Sequence, residues 1–488
     1  MSESRAGGQS AAAGLNDRGI WREVMAITVP SVVTMSTRML MDVTDFIMVT
    51  IRGDHAGQAA LLPSQMIMWT VMVVGVGTVS MVATYTSQCL GRGRQRDCGA
   101  YGWQGIYIAG VCQVAGFGLW FVLPTILGWL EHDPEITLLQ LAFCNACVWT
   151  IGPTIAAEAF ASFFNGVHRP KVTMWTVIES VVINALVSWP LMFGLWGLPG
   201  MGIVGAAWGM VAAMSYRTLR LAHIMLSKRY DAEFATRHSW RPDRVRLMQI
   251  VRTGVPQSMQ WCSDVFVWTF FVNYLVGTKF GTLHLTASNI VWNYMRVAFV
   301  PCLGVGRGLS TLVGKAIGQG DFNLANHYTR LANAISLGYM GALSVLYLLL
   351  RHQMVAIFNA DPQIVQIGAG LVICAVVFLF FDGLGITYGS ALRGAGDTLW
   401  PAVVQIIGHW VILISGGWLV AEWWPHGGSL GPWAVASLLI IVLSLVLWYR
   451  WAAGTWRKID LFKDRHAFII DTADGDGPSA LAVERAGV

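Results

Sequence analysis

Charge is what this sequence has least of. Only 12% of its 488 residues are Asp, Glu, Lys or Arg, against about 25% in a soluble globular domain. With 55% hydrophobic residues and a mean hydropathy of +0.55, the apolar surface has no aqueous home and a bilayer is its natural solvent. A nucleotide-binding loop is also missing. No Walker pattern and no HExxH occurs, so no ATP partner and no protease-type zinc are expected. The segment Ser2 to Ile20 has no apolar core before a small-residue cleavage site, so no cleaved signal peptide is expected. A net charge of +5 is modest for a nucleic-acid binder, and no nucleic-acid partner is expected.

Some chemistry-bearing patterns occur without the context they need. Gly427 to Gly431 fits a nucleophile elbow but has no strand before it. Gly200 to Gly205 fits a dinucleotide fingerprint but opens an apolar run. Cys144 and Cys147 are spaced as a CxxC pair, yet no second pair or His cluster completes a metal site, and they read as small apolar residues of a membrane helix. The chain is therefore not expected to be an enzyme, and no cofactor is expected beyond a coupling ion.

What is there is apolar length. A spanning helix needs about 20 mostly apolar residues. Twelve such runs can be read, at 23–51, 60–87, 101–129, 138–164, 173–196, 200–226, 247–277, 286–315, 326–353, 363–391, 400–421 and 430–452. One set of loops is basic: Arg92, Arg94 and Arg96; Arg169 and Lys171; Lys228, Arg229, Arg237, Arg241, Arg244 and Arg246; Lys315 and Arg330; Arg457, Lys458, Lys463 and Arg465. The alternate loops pair Arg52, Lys279 and Arg351 with Asp54, Glu131, Asp133, Glu135, Asp361 and Glu422. The positive-inside rule puts both termini in the cytoplasm of a protein of the inner membrane.

The chain also repeats itself. Val29-Pro30 recurs as Val255-Pro256 (256 − 30 = 226). The stretch SQCLGRG ending at Gly93 recurs as GKAIGQG ending at Gly320, with Gly91 matching Gly318 (318 − 91 = 227). FNG ending at Gly166 recurs as LRG ending at Gly394 (394 − 166 = 228). Three ordered matches at a near-constant offset divide the chain into an N-terminal tail 1–22, an N-lobe 23–226, a linker 227–246, a C-lobe 247–452 and a tail 453–488 that is disordered at its end. The expected fold is an all-α membrane protein of twelve transmembrane helices in two pseudo-symmetric six-helix bundles. Six spans per repeat make the repeats parallel, with the symmetry axis along the membrane normal and a central cavity between the bundles.

Ionisable residues at bilayer depth are costly and mark function by default. The first span holds Arg38, Asp42 and Asp45; Arg38 and Asp42 are spaced to pair on one face, leaving Asp45 as the exchangeable acid. Asp264 in the seventh span and Asp382 in the tenth have no charged neighbour at helical spacing. They suit proton exchange, or they can meet at the cavity and hold Na⁺, a hard cation that prefers oxygen ligands. The structural alternative pairs them with Arg296 or Arg307. Glu158 and Glu179 are further candidates, with Glu179 placed nearer the cytoplasm and partly solvated. The 21 Met, 23 Trp and 21 Phe give weak support to a broad substrate range.

These residues resemble the multidrug and toxic compound extrusion (MATE) family of the flippase-like superfamily, over nearly everything from Arg22 to Trp451. Val29-Pro30 followed by Asp45 looks like that family's first helix. Ala287 to Asn293, with Asn289, then Pro301 and Gly314 to Asp321, looks like its eighth helix and following loop. Gly202 to Ala207 looks like the start of its sixth helix. Ala391 to Thr398 (ALRGAGDT) is the most specific match. The resemblance implies a secondary antiporter that exports small cationic or amphipathic organic compounds in exchange for Na⁺ or H⁺. It implies Asp45 as the first-lobe acid, Asp264 and Asp382 as the second-lobe acids, and Asn184 as a polar partner of Asp45. The departures are Ser188, where many members carry Asp; Asp264, where Glu is usual; and Arg307, where a small or neutral residue is usual. A flippase for a lipid-linked saccharide on the same scaffold is the alternative. The expected partners are a small organic molecule and membrane lipid.

Overall fold

The computed structural model describes residues 17–129, 133–197 and 200–462. Most of the expected tails, Glu131 and the side chain of Asp42 lie outside the described residues. Among the described residues nine helices are long and apolar enough to cross a membrane. These include α1 (Asp17–Arg52), α2 (His55–Gly91), α4 (Pro134–Gly166) and α5 (Pro170–Phe193). A pair bent by 56°, Gln95–Phe117 with Leu119–Gly128, is α3. Ile203–Met225, which carries Arg217 and Arg220, is α6. The stretch Arg244–Gly318 counts as one of the nine, but it folds into two legs at Gly281 (φ 81°, ψ −174°). The legs are α7 (244–280) and α8 (282–318). Then come α9 (Phe322–Phe358), α10 (Pro362–Ala395), α11 (Leu399–Trp423) and α12 (Leu430–Ala452). The twelve helices form a two-lobe all-α fold, with no strand among the described residues. The turn at Gly281 needs a backbone that only glycine adopts without strain.

Local chemistry sets the helix starts. Asp54, Asp243, Asp321 and Asp361 each accept a hydrogen bond from the first turn of the helix they precede, replacing a bond that the turn's N–H groups lack. Pro134, Pro170 and Pro362 sit at first-turn positions, where a missing N–H costs nothing.

Each lobe has its own apolar core. Met48, Leu61, Met72, Phe143, Ile155 and Met192 pack together in the first lobe. Phe271, Val291, Met340, Leu371, Phe378 and Trp433 pack together in the second. Outside these cores, Val114, Phe121, Leu138, Leu219, Leu349 and Ile357 are exposed, as suits helices in contact with lipid tails.

The repeat read from the sequence is realised as an interface. A Cβ on Gly77 would lie 2.8 Å from the backbone of Ser258, and one on Gly304 would lie 2.5 Å from the backbone of Val32. These contacts are equivalent under the repeat (258 − 32 = 226; 304 − 77 = 227). Closer to the axis, equivalent residues meet each other: Gly314 packs on Ser87, and Gly318 on Gly91. Thus α1 lies on α8 as α7 lies on α2, and only glycine permits these backbone approaches. The lobes also join through Thr78 Oγ1 and Ser258 Oγ (2.9 Å), Gln88 Nε2 donating to the Gly394 carbonyl (3.0 Å), and Lys315 Nζ to Glu23 (2.8 Å). All of these contacts lie towards the end of the molecule that carries the basic loops.

The expected linker is more than a tether. Lys228–Phe234 forms a short helix, and the Trp103 indole on α3 donates to the Thr236 carbonyl (2.7 Å). The described start of the C-terminal tail is also packed. Phe462 is buried against Tyr85 and Tyr101, and Arg92 pairs with Asp460 at 2.9 Å.

Candidate functional site

In the second lobe, Asp264 comes from α7 and Asp382 from α10. The neighbour that sequence reasoning missed is His409 on α11. Its Nδ1 lies 3.2 Å from Asp264 Oδ1, but neither atom has an aligned hydrogen bond. Gln405 Nε2 donates to Asp264 Oδ2 at 3.4 Å, and Gln260 donates to Gln405. His409 is fully buried, whereas the Asp264 side chain is 27% exposed. Asp382 lies within electrostatic reach of Asp264. His409 opens a π-helical segment, His409–Gly416, and α7 has another at Phe270–Val276. Such widened turns re-aim side chains and are frequent at functional sites. The available signal was a lone histidine in an apolar run.

In the first lobe, Asp45 is 1% exposed. On α5, both amide atoms of Asn184 and the Ser188 hydroxyl are buried without hydrogen-bond partners, one turn apart. The Ser188 hydroxyl lies against Gly209 of α6. Glu179, on the same helix, is partly exposed as expected. It accepts from Tyr216 (3.0 Å) and faces Arg220 (3.4 Å), so it is already paired. Asn289 stands exposed, with its carbonyl bonded to Asn293 (2.9 Å), and does not join the Asp264 group.

One ion-pair expectation is corrected. Arg38 reaches Glu158 on α4 at 3.7 Å, while its expected partner, the Asp42 side chain, lies outside the described residues. Arg307 pairs with Glu158 across the lobes at 2.9 Å, not with Asp264 or Asp382. The glycines around Arg307, Gly304 and Gly308, bring α8 against α1 and so carry the guanidinium to the N-lobe acid. Glu158 is 2% exposed and also lies within electrostatic reach of Arg217 on α6. It is thus a cross-lobe ion-pair centre.

Among the described residues no group of three His, Cys, Asp or Glu side chains is placed to hold a metal ion. A hard cation at Asp264 would therefore need amide or carbonyl oxygens as well. The polar contacts described for the carboxylate are nitrogens, His409 Nδ1 and Gln405 Nε2, neither of which is an oxygen ligand of the kind a hard cation prefers.

The MatE family profile matches residues 30–189 and 264–419. A probable multidrug resistance protein NorM of Rhizobium meliloti is 26% identical over 440 residues, covering 88% of this chain and 92% of its own. The multidrug resistance protein PmpM of Pseudomonas aeruginosa is 24% identical over 453 residues, covering 91% and 94%. Among solved structures, a crystal structure of MATE in the bent conformation superposes with a TM-score of 0.81 at 17% identity, over 90% of this chain and 96% of that one.

Proposed function

The chain belongs to the MatE family of membrane transporters, and on that premise we propose that it is a proton-coupled antiporter exporting small amphipathic organic compounds across the inner membrane. It is a multi-pass membrane protein and not an enzyme. Export of drug-like molecules is supported by the names of its relatives, which are multidrug resistance proteins. The observation that carries the coupling is the Asp264–His409 pair. It is a carboxylate at bilayer depth, open on one side, beside a histidine that leaves one oxygen without an aligned bond.

The basic loops give the direction. If they face the cytoplasm, the contacts that join the lobes at Gly91, Gly318 and Lys315 lie on the cytoplasmic side, and we read the state as outward-facing. A proton from outside then reaches Asp264 in this state, while the sealed Asp45 stays out of reach. Protonation acts by its differential affinity for the two states. It removes the charge at Asp264, favours the state in which that carboxyl is buried from the outside, and resets the transporter after the cargo has left. Na⁺ is the second reading, favoured only by the two acids sharing one lobe.

The test is efflux of a fluorescent dye from proteoliposomes of the full chain, with pH and Na⁺ gradients imposed separately. A pH gradient alone should drive efflux, and Asp264→Asn should lose the drive. If only Na⁺ drives it, the ion is wrong. If neither does and Asp264→Asn matches wild type, the antiporter reading fails and the lipid-linked saccharide flippase takes its place.

A further inference from the structure

We propose that Arg38, Arg217 and Arg307, gathered around Glu158, form a subsite for an anionic oxygen group of the cargo, a carboxylate, phosphate or sulfonate, at the junction of the lobes. The inference rests on the transporter reading, because it assumes a cargo that passes between the lobes. Its physical basis is a charge imbalance. Arg38 comes from α1, Arg217 from α6 and Arg307 from α8 of the other lobe. Among the described residues Glu158 is the only carboxylate paired with Arg38 or Arg307, and the same acid lies within electrostatic reach of Arg217. Among the described residues, three guanidiniums share one carboxylate. Arg393 adds a fourth positive charge within electrostatic reach of Arg307.

Buried charge is costly unless it is paired. Arg217 is 3% exposed, and its Nε has no hydrogen-bond partner. A buried guanidinium with an unused donor beside an over-shared carboxylate can bond an anionic oxygen without losing any bond it already makes. Arg38 and Arg307 are 29% and 28% exposed although they stand mid-helix at the junction of the lobes, so both can reach into the space between them. Arginine is suited to this task, because its planar fork bonds carboxylate and phosphate in pairs. Trp69 lies under Arg38 at 5.3 Å and gives the subsite an aromatic wall for the apolar part of an amphiphile. Because Arg307 belongs to the second lobe and Arg38 and Arg217 to the first, an anion held by all three also holds the lobes together. The subsite is complete only while the lobes are closed at this end.

The test is binding to the purified full chain in phosphatidylcholine nanodiscs, read by fluorescence polarisation of two dyes, the anionic carboxyfluorescein and the cationic rhodamine 123. Carboxyfluorescein should bind more tightly. Arg307→Gln should weaken it by about tenfold or more, as expected for the loss of a charged hydrogen bond, with little change for the cation. Glu158→Gln should tighten carboxyfluorescein, an effect of sign that a purely structural role would not produce. Arg38→Lys, which keeps the charge, guards against misfolding of the neutral variants and should retain most of the binding. Adding phosphatidic acid to the nanodiscs separates the sources of the anion: competition names a lipid headgroup, and its absence a soluble cargo. The proposal is overturned if carboxyfluorescein binds no tighter than rhodamine 123, or if Arg307→Gln shifts both dyes equally. Binding needs no gradient, so failure here leaves the coupling reading intact, and failure of coupling leaves this one intact.

Discussion

Arg38 in α1 and Asp264 in α7 occupy equivalent positions of the two repeats (264 − 38 = 226), yet they carry opposite charges. Around Arg38 the first lobe gathers Glu158, Arg217 and, from its partner lobe, Arg307. Around Asp264 the second lobe gathers His409, Gln405 and Asp382. The backbones obey the repeat closely enough for Gly91 to meet its equivalent Gly318 and for Ser87 to meet Gly314, while the side chains Arg38 and Asp264 reverse the charge at one repeat position. The helices differ as well. The second lobe has π-helical segments in α7 and α11, while the helices α1 and α5 that hold Asp45 and Asn184 are regular. On the two proposals above, the shared frame carries a proton site on one wall and an anion site on the other.

The largest effect should separate the two acids. Asp264→Asn should lower gradient-driven efflux by about a hundredfold, near the upper end of typical coupling free energies. Asp45→Asn should cost no more than a few fold, because that acid is sealed in this state. Equal losses from both in the proteoliposome assay would break the comparison and assign coupling to both lobes.

Symmetry itself can be tested next. A methyl group on Gly318 would lie 2.3 Å from the Gln88 carbonyl, and one on Gly91 would lie 2.1 Å from the Lys315 carbonyl. Overpacking of this kind costs about 1–3 kcal/mol, which acts only on the closed interface. Both Gly91→Ala and Gly318→Ala should therefore widen the distance between spin labels at Arg94 and Asn323, measured by pulsed electron resonance. Gly338→Ala, with open space at its Cβ, should not. A shift in only one of the two interface variants would show that the repeats do not share the closure equally.

A smaller effect is expected at His409. His409→Gln keeps a polar group beside Asp264 but no group that titrates. Efflux should fall by about tenfold, within the range for a positioned proton-transfer side chain, and its dependence on pH should flatten, while dye binding stays within about twofold, since no arginine of the anion subsite is touched. An unchanged pH dependence would remove histidine from the proton path.

Much of this was legible in the residues. Apolar run lengths marked the spans, because lipid requires about 20 apolar residues per crossing. The glycine matches marked the repeat, but that Gly91 and Gly318 meet each other between the lobes was not read from them, because an offset along the chain does not say which equivalent residues touch. The partners of the ionisable groups were not legible. Spacing along one helix gave no sign that Arg38 pairs with Glu158 from α4, or that Arg307 crosses to the other lobe for the same acid. Pairing across helices depends on rotation and depth, which hydropathy does not encode. His409 was passed over because one histidine does not lower the apolarity of its run, and Arg217 because α6 was read only for its length and its opening Gly202 to Ala207.

The smallest effect concerns the closed end of the interface and its response to acid. His168, in the turn between α4 and α5, sits with its Nε2 3.2 Å from the Thr311 carbonyl of α8, in the opposite lobe. Burial, with help from the nearby Lys315 ammonium, lowers its pKa to about 4, against the pull of the Thr311 carbonyl and Glu23 in the other direction. When the lobes part, the ring meets water and regains an ordinary value of about 6.5. Above that pH neither state carries the proton, and the closed contact keeps its full strength. As pH falls from about 6.5 towards 4, the parted state binds the proton and the closed state does not, so closure weakens across that window. The Arg94–Asn323 label distance should therefore broaden towards the open form on acidification from pH 7 to pH 5. In His168→Gln, which has no proton to gain, this response should shrink. If the variant responds to acid as wild type does, the acid sensitivity of closure belongs to the carboxylates of the two lobes, and the turn between α4 and α5 plays no part in it.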